Sequence, residues 1–193
     1  MGMAGEGTAA VGVDGIKPAA EGGLPPDQRV LTPDGYRPAS AMDSRDAVVT
    51  GRGRVRVLIA VHRRTVAEPL YRLCTVRGNV LRATGAQPVL ARRGEGVPEW
   101  VPAAAIGAGD LVAVFGSTSL GGWARAGIPA GPAAGPTTAV VLREEAGTYV
   151  GLDWVPLASI DAAPYCGPLY ALDVEEDHSL ISEGWMLSAC RGR

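Results

Sequence analysis

The sequence predicts an all-β fold, and three observations predict it. Its 193 residues include 27 Gly and 15 Pro, which cut the apolar content into short runs bounded by turn residues. Several of these runs alternate with the period of a strand, as in Val55-Arg56-Val57-Leu58-Ile59-Ala60-Val61. Helical spacing never persists beyond one turn, and only 39–42 and 103–106 read as single helical turns.

Taken in order, residues 1–22 are Gly/Ala-rich without an apolar period and are expected to be a flexible tail. Strand expectations begin at 28–32, followed by the turn Pro33-Asp34-Gly35, where Pro presets φ and Gly accepts a positive φ. They continue at 47–50, 55–61 and 70–76, with His62 marking a strand end that enters a basic turn and Cys74 a core residue. Further strands are expected at 80–84, 89–91, 111–115, 139–143, 149–152, 169–174 and 185–187. Residues 117–138 are Gly/Ala/Pro-rich and are expected to be an exposed loop, with Trp123 a contact point for a partner. Residues 191–193 close the chain as a short tail.

Composition narrows the function classes. At 47% hydrophobic and 20% charged residues, the chain is globular and large enough for one domain with a proper core. A net charge of −2 makes no electrostatic case for nucleic acid or an anionic membrane. Three cysteines outside any CxxC spacing, with two histidines, argue against a structural metal, and no cofactor motif is present. The cysteine usage suits a reducing cytoplasm, and there is neither a leader-like opening nor an apolar run long enough to span a bilayer.

The chain also echoes itself. Tyr36-Arg37-Pro38-Ala39-Ser40-Ala41-Met42, then Asp46 and Val48, has the spacing of Trp100-Val101-Pro102-Ala103-Ala104-Ala105-Ile106, then Asp110 and Val112. Pro69-Leu70-Tyr71 and Pro168-Leu169-Tyr170 form a second pair. Paired repeats without one fixed period predict two related β subdomains.

Four segments, in order, carry a family resemblance. They are GLPPDQRVLTPDGYRPASAMDSRDAVVT (23–50), GNVLRATGAQPVLAR (78–92), EWVPAAAIGAGDLVAVF (99–115) and LYALDVEEDHSLISEGWMLSAC (169–190). Together they resemble the Hint domain shared by inteins and hedgehog autoprocessing domains, in its minimal form without an endonuclease insert, over 23–190. The resemblance implies a flat, two-lobed, pseudo-symmetric horseshoe of antiparallel strands. It also implies a set of site positions. Gly23 falls where the family has its first nucleophile, but glycine has no side chain to attack with. Thr84 matches a family threonine. Gln87 stands at the following histidine position; it can hydrogen-bond but cannot shuttle a proton. Ser188 takes the place of a second helper histidine, and Ala189 that of the asparagine whose amide cyclises. The carboxylate or cysteine near the start of the last long strand falls at Ala171, unless a register shift lets Asp173 serve. His178 and Cys190 are retained.

Two functions follow from the resemblance. One is a non-splicing structural or binding module. The other is an autoprocessing domain in which Cys190 attacks the Gly22–Gly23 bond directly, or one whose junction residues were substituted to trap a precursor. The expected partners are an unidentified protein or the flanking, extein-like segments. His178 reads either as a proton shuttle or as a hydrogen-bonded turn residue, Cys166 as a weaker nucleophile candidate, and the run Asp173, Glu175, Glu176, Asp177 as a solvated strand end. An unrelated β protein with coincident motifs is the remaining alternative.

Overall fold

The computed structural model describes residues 22–115, 142–144, 147–149 and 151–189. The expected tail at 1–21, the 117–138 loop with Trp123, and Cys190 with the terminal 191–193 lie outside the described residues.

The first half contains β1 (Arg29–Thr32), β2 (Gly35–Pro38), β3 (Ala47–Val49), β4 (Val55–Thr75), β5 (Val80–Thr84), β6 (Pro88–Arg92), β7 (Glu99–Pro102) and β8 (Leu111–Phe115). The second contains β9 (Leu142–Glu144), β10 (Gly147–Tyr149), β11 (Leu152–Val174), β12 (Ser179–Ser182) and β13 (Trp185–Ser188). Eleven strands join one sheet in the order β2-β1-β12-β13-β6-β8-β11-β4-β3, with β5 on β4 and β7 on β6; β9 and β10 pair with each other. Every pairing is antiparallel. The only helical turns among the described residues are 3-10 turns at Ala39–Ala41 and Ala103–Ala105, where expected. Each follows a proline, Pro38 at φ −63° and Pro102 at φ −55°, whose ring presets the entry.

The two halves repeat in hydrogen-bond detail. Asp43 N–H donates to Asp46 Oδ2 at 2.8 Å, and Gly107 N–H to Asp110 Oδ2 at 2.9 Å. Ala39 N–H reaches Gln28 O, and Ala103 N–H reaches Gln87 O. Leu58 N–H donates to Asp46 O, and Leu157 N–H donates to Asp110 O in the same way. Leu24 bridges Tyr170 as Ala83 pairs Tyr71, so both Pro-Leu-Tyr segments sit at equivalent positions. The sequence echo is therefore a structural duplication.

The main core packs between the halves and includes Leu58, Leu73, Leu81, Trp185 and Leu187, each at most 1% exposed. Smaller clusters around Leu152 and Met186, and around Leu31 and Ile181, lie apart from it.

Four expectations need correction. The runs at 55–61 and 70–76 are one strand of 21 residues, so His62 is not a strand end; it sits mid-strand opposite Ala171. Likewise 169–174 is the end of a 23-residue strand that starts at Leu152, while Tyr149 closes the separate strand β10. The middles of β4 and β11 pair with each other over Arg63–Leu73 and Ile160–Tyr170, largely exposed, so neither face imposes an apolar alternation there. Cys74 is only half-buried. Asp173 and Asp177 are buried rather than solvated, at 2% and 8% exposure, while Glu175 and Glu176 are exposed. Strands β2, β7 and β12 are too short and mixed to stand out in the sequence.

Candidate functional site

The first and the last of the described residues converge where β5 turns into β6. The turn is closed by Gln87 N–H donating to Thr84 O at 3.0 Å. Thr84, fully buried, grips Gly23 twice: its Oγ1 accepts from Gly23 N–H at 3.2 Å, and its own N–H donates to Gly23 O at 3.0 Å. The Gly22–Gly23 peptide nitrogen is thus the group that the threonine hydroxyl holds. Leu24 then enters the sheet through reciprocal 2.9 Å bonds with Tyr170.

Gln87 links this end to the other. Its side-chain nitrogen donates to Ser188 O at 2.9 Å and to Pro88 O at 3.2 Å, which occupies both amide hydrogens. Gly22 lies against the same side chain: a Cβ built there would stand 2.5 Å from Gln87 Oε1. At Gly23 a Cβ would stand 3.2 Å from Leu169 Cβ.

The C-terminal end is positioned by the β12–β13 hairpin, in which Leu187 pairs with Val89 of β6. Its two-residue turn, Glu183-Gly184, has φ of +48° and +86°, the signature of a primed hairpin turn. Past Ser188, Ala189 N–H donates to His178 O at 2.9 Å, and Ser188 Oγ donates to Ala189 O at 3.2 Å. His178 therefore holds the C-terminal end with its carbonyl. Its backbone is left-handed at φ +44°, and its Nδ1 is buried without a partner. The expectation of a hydrogen-bonded turn imidazole does not hold at that nitrogen.

The turn before His178 is pinned by Asp177. Its side chain is fully buried, accepts from Thr50 Oγ1 at 2.6 Å and from Arg54 Nε at 3.1 Å, pairs with Arg54 Nη2, and has Arg52 Nη1 at 3.8 Å. Burial pushes its carboxyl up, but the bonds from Arg54 and Thr50 and the charges of both arginines outweigh this, leaving it below the ordinary range.

Asp173 is placed differently. Along β11, Tyr170, Leu172 and Val174 belong to the main core, so Leu169, Ala171 and Asp173 share the opposite face. Leu169 packs on Gly23, but Asp173 lies four residues on, roughly 13 Å along the strand. Its Oδ1 is buried without a partner, at the β-bulge where the β4–β11 register shifts. Cys166 is exposed on the ribbon opposite Ala67. No group of three His, Cys, Asp or Glu among the described residues is placed to hold a metal, and no described helix is long and apolar enough to cross a membrane.

The fold thus gathers Gly23, Thr84, Gln87, Ser188, Ala189 and the His178 backbone, while Asp173 lies four residues along β11 from the Leu169 that packs on Gly23. Sequence reasoning missed Gln28, the counterpart of Gln87 in the first half. The signal was there: Gln28-Arg29-Val30-Leu31 repeats as Gln87-Pro88-Val89-Leu90. It also missed the Thr50–Arg54–Asp177 cluster, which nothing in the spacing announces.

No protein-family model and no curated protein matches this sequence. Solved structures do. The chain is similar to the Ssp DnaB mini-intein variant M86, with a TM-score of 0.63 at 12% identity over 90% of this chain and 97% of that one. The DnaB intein from Synechocystis sp. PCC 6803 gives 0.62 at 11% identity, over 88% and 99%. The gp41-1 intein gives 0.57 at 11% identity, over 86% and 98%. At these identities the likeness concerns the fold, and the fold is the intein-like Hint fold.

Proposed function

We propose that this Hint-fold chain is a non-splicing module that holds two chain ends together without cutting them. The carrying observation is Gln87. At the junction between the ends, both of its amide hydrogens are committed to carbonyls, and it has no proton to exchange near neutral pH. Around it, Gly23 offers no nucleophile and Ala189 no amide that could cyclise. What remains is a hydrogen-bonded latch from Gly23 through Thr84 and Gln87 to Ser188. The segments it serves are those flanking Gly23 and Ala189, and no cofactor enters. Intact-mass spectrometry of the purified chain, with and without dithiothreitol and hydroxylamine at mildly raised pH, is expected to give one species at the full-chain mass.

A second reading draws on the same convergence. The Cys190 thiolate would add to the Gly22 carbonyl, the C–N bond to Gly23 would break, and the Gly23 amine would take up a proton. Ala189 cannot cyclise, so a branched thioester would persist until a thiol, hydroxylamine or water cleaved it. A fragment starting at Gly23 that disappears in Cys190→Ala would establish this reading and overturn the first.

A further inference from the structure

We infer that Gln87 makes position 22 a glycine-only position, so that the site accepts a Gly–Gly peptide and excludes any residue with a side chain there. The inference rests on reading Gly22–Gly23 as the N-terminal junction.

Glycine is used in proteins either for a backbone conformation or for space. At Gly22 the reason is space: a Cβ would stand 2.5 Å from Gln87 Oε1 and 2.9 Å from both Gln87 Cδ and Gln87 Cα. Ordinarily a long side chain swings aside at little cost. Here the amide is fastened at its nitrogen by Ser188 O and Pro88 O, so Oε1 is held facing Gly22. Turning the amide away would leave two carbonyls without their donor. The clash with the Gln87 main chain cannot be relieved by any rotamer. Position 23 is less strict, since the nearest atom to a Cβ there is Leu169 Cβ at 3.2 Å, a distance that a shift of a few tenths of an ångström relieves. The group that ties the two ends together is therefore also the group that selects what precedes the junction.

The test is a double-mutant cycle on the full chain, read by amide hydrogen exchange at Leu24 and Thr84. These N–H groups bond to Tyr170 O and Gly23 O and report whether the segment is seated. Gly22→Ala is expected to speed exchange at both by about tenfold, the scale of overpacking in a closed site. Adding Gln87→Ala is expected to reverse most of that rise, leaving a remainder from the clash with the main chain. Adding Gln28→Ala instead, at the equivalent position in the other half, is expected to reverse none. Unchanged exchange in Gly22→Ala, or effects of Gly22→Ala and Gln87→Ala that simply multiply, would overturn the inference. Should Gly22→Ala fail to fold, recovery of folding in the double variant supports the inference and its failure to fold overturns it. Cleavage seen by mass spectrometry bears only on the proposed function, and exchange only on the selectivity.

Discussion

At the scale of the residue, Asp177 carries more of the site than its neighbours with better chemical credentials. It fixes the turn whose next residue, His178, holds Ala189 by a main-chain bond. Its carboxylate is fully buried while its arginine partners Arg52 and Arg54 remain 23% and 42% exposed, so the desolvation cost falls mainly on the acid. Asp177→Asn keeps an acceptor for Thr50 but removes the charge that both arginines face. It is expected to lower stability by about 1–3 kcal/mol in urea denaturation. The pH dependence has a definite sign. The folded carboxyl lies below its ordinary 3.8, so its contribution is complete above that value and is lost as pH falls through the folded value. The gap between the native chain and Asp177→Asn should accordingly be constant from neutral pH down to about 5 and close below 3.8. A gap that persists undiminished at pH 2 would mean that packing, not charge, holds the turn. The neighbouring Arg56–Glu176 pair, with Glu176 59% exposed, should contribute little by comparison.

At the scale of the element, the β4–β11 ribbon shows how strands persist where side chains give no instruction. Three prolines lie in its paired part: Pro69 and Pro164 face each other, and Pro168 faces Thr65. Tyr170 directs both its N–H and its C=O to Leu24, away from β4. Pro164 and Pro168 have the same parity as Tyr170 along a stretch without a register shift, so their missing N–H groups also point away from β4. The ladder loses nothing to them. Moving the proline by one residue changes this: Ala163→Pro removes a donor to β4 and is expected to cost about 3 kcal/mol or more. Pro164→Ala removes none and should stay within about 1 kcal/mol of the native chain. Equal losses in the two variants, measured by thermal unfolding, would contradict this assignment of the ladder. The same feature explains which elements were legible. Val80–Thr84 and Leu111–Phe115 lie against the core and alternate or run apolar accordingly, so their bounds were readable to the residue. His62 to Pro69 contact solvent for much of their surface, and charge and proline there mimic a turn. The motif resemblance names Thr84, Gln87, Ser188 and Ala189, and the structure brings them to one place. Asp177 was hidden because its partners, Thr50 and Arg54, are distant in sequence and ordinary in type.

At the scale of the whole molecule, the duplication supplies two glutamine clamps on one hairpin, and they are built differently. Gln28, in the first half, donates from Nε2 to Ser182 Oγ at 3.1 Å and accepts from Arg82 N–H at 3.1 Å. Ser182 passes the bond on to Arg29 O at 2.8 Å. Gln87, in the second half, donates to a main-chain carbonyl, Ser188 O. The first clamp thus depends on the identity of its partner, and the second does not. Position 188 can therefore change without loosening the latch. Ser182, fully buried, has no such freedom. Ser182→Ala is expected to lose about 1–3 kcal/mol, because it leaves the buried Gln28 amide without its acceptor, while the Arg29 carbonyl keeps the Glu183 N–H at 3.2 Å. Gln28→Ala should cost a similar amount, and combining the two should add little, since each breaks the same bond. Ser188→Ala removes only a hydroxyl that reaches the next carbonyl, and should stay within about 0.5 kcal/mol of the native chain. Urea midpoints of the four variants decide the matter: a Ser188→Ala loss equal to that of Ser182→Ala would mean that the second clamp, too, reads its partner's side chain.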